Sequence, residues 1–199
     1  MSLDTYTGLL GEVADYLDRT DLTAKIPTYI RLTEARLNRL LEDPDMEVIS
    51  SATAAGEYTA LPADFGSMVS ISTGDGALTR IGSVEFAALD RTITGTPRFY
   101  TITDRALSFA PFDLTTPITL IYRRTIPALT ATATTNWLLT RAPDLYLYGS
   151  LVQASAYLDD ENKVGLWKGA FDEAIEELRR DASRRKWGAG PIAPRIRRT

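Results

Sequence analysis

Apolar residues at the start of the chain recur every three to four positions, at Tyr6, Leu9, Leu10, Val13 and Leu17. That spacing predicts an amphipathic helix with Asp4 or Thr5 as N-cap, ending among the polar residues Asp18, Thr20 and Asp21. Asp21 is placed to cap a second start over 22–26, and Pro27 permits a new first turn leading through Ile30, Leu37, Leu40 and Leu41. Arg31, Arg36 and Arg39 fall off that stripe, and Pro44 should stop the helix. Glu42 and Asp43, adjacent acids at its end, read as solvated. From Met46 the period shortens. Residues 46–53 and 66–73 are short and contain β-branched side chains, and Gly74-Asp75-Gly76 signals a hairpin into 77–81. Residues 83–89 predict one short helix, with Ser83 as its cap and Phe86 and Leu89 inward. Residues 98–103 and 106–110 flank a tight turn at Asp104-Arg105, and 118–126 alternates as a third strand of that group.

Residues 128–135, rich in Thr and Ala and without a period, predict a surface loop. It leads to the stretch around which the chain is organised, 136–160, whose first half reads as a loop closing on a helix start near Ala142. Pro143 suits the first helical position and Asp144 the positive helix end. Leu147, Leu151, Ala154 and Leu158, widened by Tyr148, Val152 and Ser155, mark a helix buried over much of its circumference. A last helix carries Val164, Trp167, Ala170, Phe171, Ala174, Ile175 and Leu178 on one stripe, with Asp172, Glu173, Glu176 and Glu177 outside it. Beyond Trp187, Gly188, Gly190, Pro191 and Pro194 oppose regular structure. The fold class expected is α+β: a bundle of about four helices, two N-terminal and two C-terminal, with an inserted, mostly antiparallel β-sheet region and an extended C-terminal tail. The expected divisions are 1–45 with 136–186 for the bundle, 46–135 for the insertion, and 187–199 for the tail.

Composition removes most chemistry. The 199 residues include no cysteine and no histidine, which excludes disulfides, thiol nucleophiles, Cys/His zinc sites and imidazole-based triads. No catalytic, cofactor or metal site is expected. No run approaches the roughly 20 apolar residues of a membrane span, and the N-terminus lacks a signal-peptide pattern, so synthesis in a cytoplasm and no membrane partner are expected. Charge is unevenly placed. From Arg179 onward eight basic residues stand against Asp181 alone, a segment charge of +7 that leaves −11 for the rest of a chain whose net charge is −4. Such a tail suits an acidic protein surface, nucleic acid or membrane. Arg179 to Lys186 can equally be cations finishing a helix, but Arg195, Arg197 and Arg198 lie past two prolines. Trp187, Ile192 and Ile196 cannot bury themselves locally in such a segment, which gains affinity when docked on another chain.

Three stretches together resemble the SU10-type head-to-tail adaptor proteins of tailed bacteriophages. They are the opening helix pair TYTGLLGEVADYLDRTDLTAKIPTYIRLTEARLNRLL, the turn ALPADF at 60–65 with a strand after it, and the ordered set GTPRFYTI, LSFAP, ITLIYRRTIPAL and TNWLLTRAPDLYLYGSLVQASAYLDDE. The resemblance covers the chain from about Asp4 to Leu178 in order as well as wording. On the residues themselves, Pro62 and Asp64 read as making a rigid strand-entry turn anchored by Leu61 and Phe65, and Gly95 and Pro97 do the same before Phe99. Trp137, Leu138 and Leu139 should seat the following loop on the central helix, with Asn136 and Thr140 satisfying its backbone.

The resemblance implies a structural virion protein of the phage neck, with no enzymatic role and no cofactor. It implies a ring of about twelve copies beneath the portal that links capsid to tail and continues the DNA channel. Partners implied are the portal protein, tail-tube, nozzle or other neck proteins, neighbouring copies, and genomic DNA passing through the lumen without sequence-specific binding. The C-terminal segment would reach the portal through Trp187, Ile192, Arg195, Ile196, Arg197 and Arg198. Another neck ring, such as a stopper or tail-completion protein, is the nearest alternative. A DNA-binding protein is a further one, which a body at −11 disfavours.

Overall fold

The computed structural model describes residues 3–53, 58–90, 92–113, 115–158 and 161–188. It divides into two compact units, Met1–Asp45 with Ile126–Thr199, and Met46–Thr125. Residues 126–135 thus belong with the helices.

The first unit contains α1 (Tyr6–Leu17), α2 (Ile26–Leu40), α4 (Trp137–Arg141), α5 (Pro143–Tyr157) and α6 (Glu161–Trp187). Thr5 caps α1, its side chain accepting from the Gly8 amide at 3.2 Å, and Asp18 ends it in the left-handed region at φ 49°. The second start is a 3-10 turn, Thr20–Lys25, preceded by Arg19 without a side-chain cap, and Asp21 pairs with Arg19 at 2.7 Å instead of capping. Pro27 lies in the first turn of α2 as expected. The segment before Pro143, read as a loop from sequence, is the one-turn helix α4. Asn136 caps it, and five residues are too few to show a period. Its Leu138 and Leu139 are buried, and Thr140 donates to the Asn136 carbonyl at 3.1 Å.

Helix α5 is the centre of this unit, packing against α1, α2 and α6. Burial around most of its circumference follows from that position, with Leu145, Tyr146, Leu147, Gly149, Ser150, Leu151, Val152, Ala154 and Ser155 all buried. Gly149 marks the tightest crossing: a Cβ there would lie 2.3 Å from Thr33 Cγ2 and 2.9 Å from Phe171 Cε2. α6 buries Phe171, Ala174, Ile175, Leu178 and Ala182, so its stripe runs one turn beyond Leu178.

The second unit holds β1 (Glu47–Thr53), β2 (Thr59–Ala60), β3 (Phe65–Thr73), β4 (Gly76–Ala77), β5 (Thr79–Arg80), α3 (Ser83–Ala87), β6 (Phe99–Thr103), β7 (Ala106–Ala110) and β8 (Pro117–Arg124). Where one sheet was expected there are two four-stranded sheets, ordered β1-β8-β3-β4 and β2-β7-β6-β5. The chain crosses between them after β4, which splits the expected 77–81 strand. β4 continues the hairpin with β3, whereas β5 pairs parallel with β6. β8 is likewise not a third strand beside β6 and β7, because β1 and β3 occupy its two edges. Alternation along β8 reveals a buried face and leaves the pairing partner open. One core of Leu61, Ile71, Leu78, Tyr100, Leu107, Phe109, Ile118, Leu120 and Tyr122 joins the two sheets.

Gly82, not Ser83, precedes α3 as cap, and Leu89 is only half-buried beside buried Phe86. The Asp104-Arg105 turn has both residues at positive φ, 49° and 56°, the geometry that matches the twist of a two-residue hairpin. The LPADF turn is built as expected in part. The Phe65 amide donates to the Pro62 carbonyl at 3.0 Å, and the Phe65 ring stacks on Tyr122 at 5.7 Å. The Asp64 carboxylate accepts from the Tyr122 hydroxyl at 3.0 Å, not from a nearby amide, while its backbone carbonyl takes the Thr125 amide at 2.8 Å.

Candidate interaction surfaces

Two polar clusters of the helical unit hold distant segments together, and neither was read from the sequence. The first is built on Glu34, which sits on the buried face of α2 at 5% exposure. Its carboxylate accepts from the Leu129 amide at 2.7 Å and from the Tyr146 hydroxyl at 3.5 Å. Asn136 Nδ2 donates both to Tyr146 Oη and to the Pro127 carbonyl, each at 2.7 Å. Residues 128–135 form the expected surface loop, exposed except for Leu129, which is buried, and the loop is pinned through the Leu129 amide and through Asn136. Burial raises the Glu34 pKa, and the bonds from Leu129 and Tyr146 offset part of that rise. Burial also pushes the Tyr146 phenol upward. The sequence carried one signal: Glu34 is a charged residue in register with Ile30, Leu37 and Leu41.

The second cluster gathers Asp43, Asp45, Arg141, Asp181 and Arg185. Asp43, expected to be solvated, has a side chain only 2% exposed. Its oxygens take Arg141 Nη1 at 3.2 Å and Arg185 Nη2 at 2.8 Å, and Oδ1 also accepts the Asp45 amide at 2.9 Å. Asp45 takes Arg141 at 2.9 Å and Arg185 at 3.0 Å. Asp181 pairs with Arg141 and, at 3.4 Å, with Arg185 Nε. Burial works against the Arg185 charge, but the hydrogen bonds and negative charge of Asp43 and Asp45 outweigh it and raise its pKa. The pairs that bring Asp43 to Arg141 and Arg185 span 98 and 142 residues and have no periodicity, so spacing cannot disclose them.

The basic run divides accordingly. Arg179 pairs with Glu176 at 2.7 Å and donates to the Leu40 carbonyl at 3.0 Å, finishing α2, while Arg184, Arg185 and Lys186 stand in the last turn of α6. Trp187, expected to open the extended tail, is the last residue of α6. Gly188, at φ 61°, ends the helix, its amide donating to the Arg184 carbonyl at 2.9 Å. Only glycine adopts that left-handed position without cost. Ile192, Arg195, Ile196, Arg197 and Arg198 lie outside the described residues.

Two further surfaces stand out. α6 exposes Asp172, Glu173, Glu176 and Glu177, and Arg36 of α2 approaches Asp172 at 3.6 Å while covering the Phe171 ring at 4.5 Å. Near the other end of α6, Trp167 stacks on Tyr148 at 6.0 Å and meets Tyr16 edge-on at 5.7 Å. Among the described residues no helix is long and apolar enough to cross a membrane.

The chain thus comprises a helical unit, whose conspicuous polar groups fasten chain segments to one another, and a two-sheet unit. The family model described as "SU10 adaptor protein" matches residues 4–195, and the chain belongs to that family. By family it is a phage head-to-tail adaptor, a structural component of the virion neck. A search of curated proteins gives no match.

Proposed function

We propose that the chain forms a ring of about twelve copies beneath the portal, linking capsid to tail and continuing the DNA channel. The observation that carries this reading is the family match, which extends through Arg195 and so includes most of the C-terminal segment. Such a ring needs a heterologous interface, in which one face of the helical unit meets a different face of its neighbour. Residues beyond Gly188 contact the portal. Arg195, Arg197 and Arg198 pair with its carboxylates, Ile192 and Ile196 fill apolar grooves, and Trp187 lies at the base of this contact. A surface ion pair gives only about 0–1 kcal/mol, so the anchoring comes from many copies acting together. Further partners are tail-tube, nozzle or other neck proteins. The exposed acids of α6 suit a wall past which DNA slides, since negative charge does not retain phosphate. Synthesis takes place in the bacterial host cytoplasm.

The test is binding to the cognate portal by sedimentation and negative-stain imaging, with the full chain and with a chain truncated after Gly188, which leaves α6 whole. The full chain should add a ring to the portal and the truncated one should not. Equal binding by both would move the contact to the helical body, and binding by neither would overturn the portal role in favour of another neck ring.

A further inference from the structure

Ala182 is the last buried residue of α6 among the described side chains, and the four that follow it, Ser183, Arg184, Arg185 and Lys186, are exposed. A helix end of this kind leaves its final carbonyls without intrahelical donors, and it frays at little cost. Like charges at Arg180 and Arg184, four apart, add repulsion. Yet the helix continues to Trp187 and stops at Gly188.

Arg185 reaches back from this stretch to the body, its guanidinium bonding both oxygens of Asp43 and both of Asp45. Arg141, at the end of α4, holds the same two carboxylates from the other side and also takes Asp181, one helical turn before Arg185. Asp43 is fixed in turn by its bond to the Asp45 amide within the turn that follows α2. Each planar guanidinium therefore gives one nitrogen to the same nearly inaccessible carboxylate and spans from it to a neighbouring acid, an arrangement that fixes orientation as well as distance.

We propose that this cluster is a clasp that keeps α6 helical to Trp187 and thereby sets the point and direction at which the chain leaves the helical unit, with Asp43 as the positioning residue for the segment after Gly188. The clasp stands on the geometry alone. Its consequence for the partner rests on the portal-contact reading above.

Hydrogen exchange on the full chain tests it, comparing the parent with Asp43→Asn, Arg185→Gln and Arg185→Lys. Amides of residues 183–187 should exchange at least ~10-fold faster in the first two variants, while those of 171–178 keep their protection. Arg185→Lys, which keeps the charge without the fork, should fall between. Unchanged exchange at 183–187 in Arg185→Gln overturns the clasp. So does a rise spread evenly along α6, which would mark a general loss of stability; because Arg185 is partly exposed, this variant decides even if Asp43→Asn folds poorly. Portal binding supplies the second readout. Clasp variants that fray yet bind the portal as the parent does would overturn the link to the contact while leaving the clasp standing. Parent-like binding by the chain truncated after Gly188 would instead overturn the portal-contact reading itself.

Discussion

Gly149 shows how much of the helical unit hangs on a missing methyl group. Alanine is about 1 kcal/mol better than glycine in a helix interior, so propensity alone favours Gly149→Ala. Its Cβ, however, would meet Thr33, which is fully buried and holds the Tyr29 carbonyl at 2.9 Å, and the Phe171 ring. Overpacking of this kind costs roughly 1–3 kcal/mol, and against the propensity gain we expect a net destabilisation of up to about 2 kcal/mol, read from a lowered urea midpoint. Glu34 gives a second outcome. In the folded chain it titrates above its ordinary value of 4.5, so as pH rises from there the native state keeps a proton that the unfolded chain has released. Stability contributed by protonated Glu34 is therefore present at acidic pH and declines as pH climbs through the raised value. Glu34→Gln should remove that decline, so that urea midpoints of the two proteins diverge in the variant's favour as pH rises above Glu34's ordinary value of 4.5; parallel profiles would refute it. Of these two residues the sequence disclosed only the anomaly of an acid on an apolar stripe. It could not disclose that Gly149 faces Thr33 and Phe171, because a close approach between helices leaves no trace in spacing.

The secondary structures divide by how far their order is local. α1, α2, α5 and α6 were legible because each repeats its apolar stripe over three or more turns, and Pro27 and Pro143 announce two of the starts. Strand existence was legible too, but strand partnership was not. β5 and β8 both pair with strands other than those expected, since a period of two specifies a face and not a neighbour. α4 was hidden by its brevity, and its stability is concentrated in Asn136, which caps the Leu139 amide while donating to Pro127 and Tyr146. Asn136→Ala removes a cap and leaves buried groups unpaired. It should cost roughly 2–4 kcal/mol and loosen residues 127–141, measurable as faster amide exchange there at unchanged protection in β1 and β8. The clasp at Asp43 was invisible for a different reason: Arg141 and Arg185 lie 98 and 142 residues from it along the chain.

The whole chain enters and leaves its sheet unit at one place. Glu47 at the start of β1 is paired directly with Arg123 near the end of β8, so the two connections to the helices run side by side. The sheet unit also has a core of its own. Replacing 47–124 by a short glycine linker should therefore leave a helical unit that melts cooperatively with a strongly helical circular-dichroism spectrum. A non-cooperative melt would show that the helices depend on the insertion. The two-unit division could be anticipated from the change of period at Met46, whereas the return point, at Ile126, was obscured by Ile126 and Leu129 burying themselves outside any helix or strand. The aromatic stack at the far end of α6 has a practical use of a different sort. Two phenol rings stand 5.7 and 6.0 Å from the Trp167 indole, close enough to pass absorbed light to it with high efficiency. With Trp137 and Trp187 changed to Phe, emission from this single indole would turn the α5–α6 corner into an internal lamp, whose colour and polarisation follow the surroundings of that corner in real time.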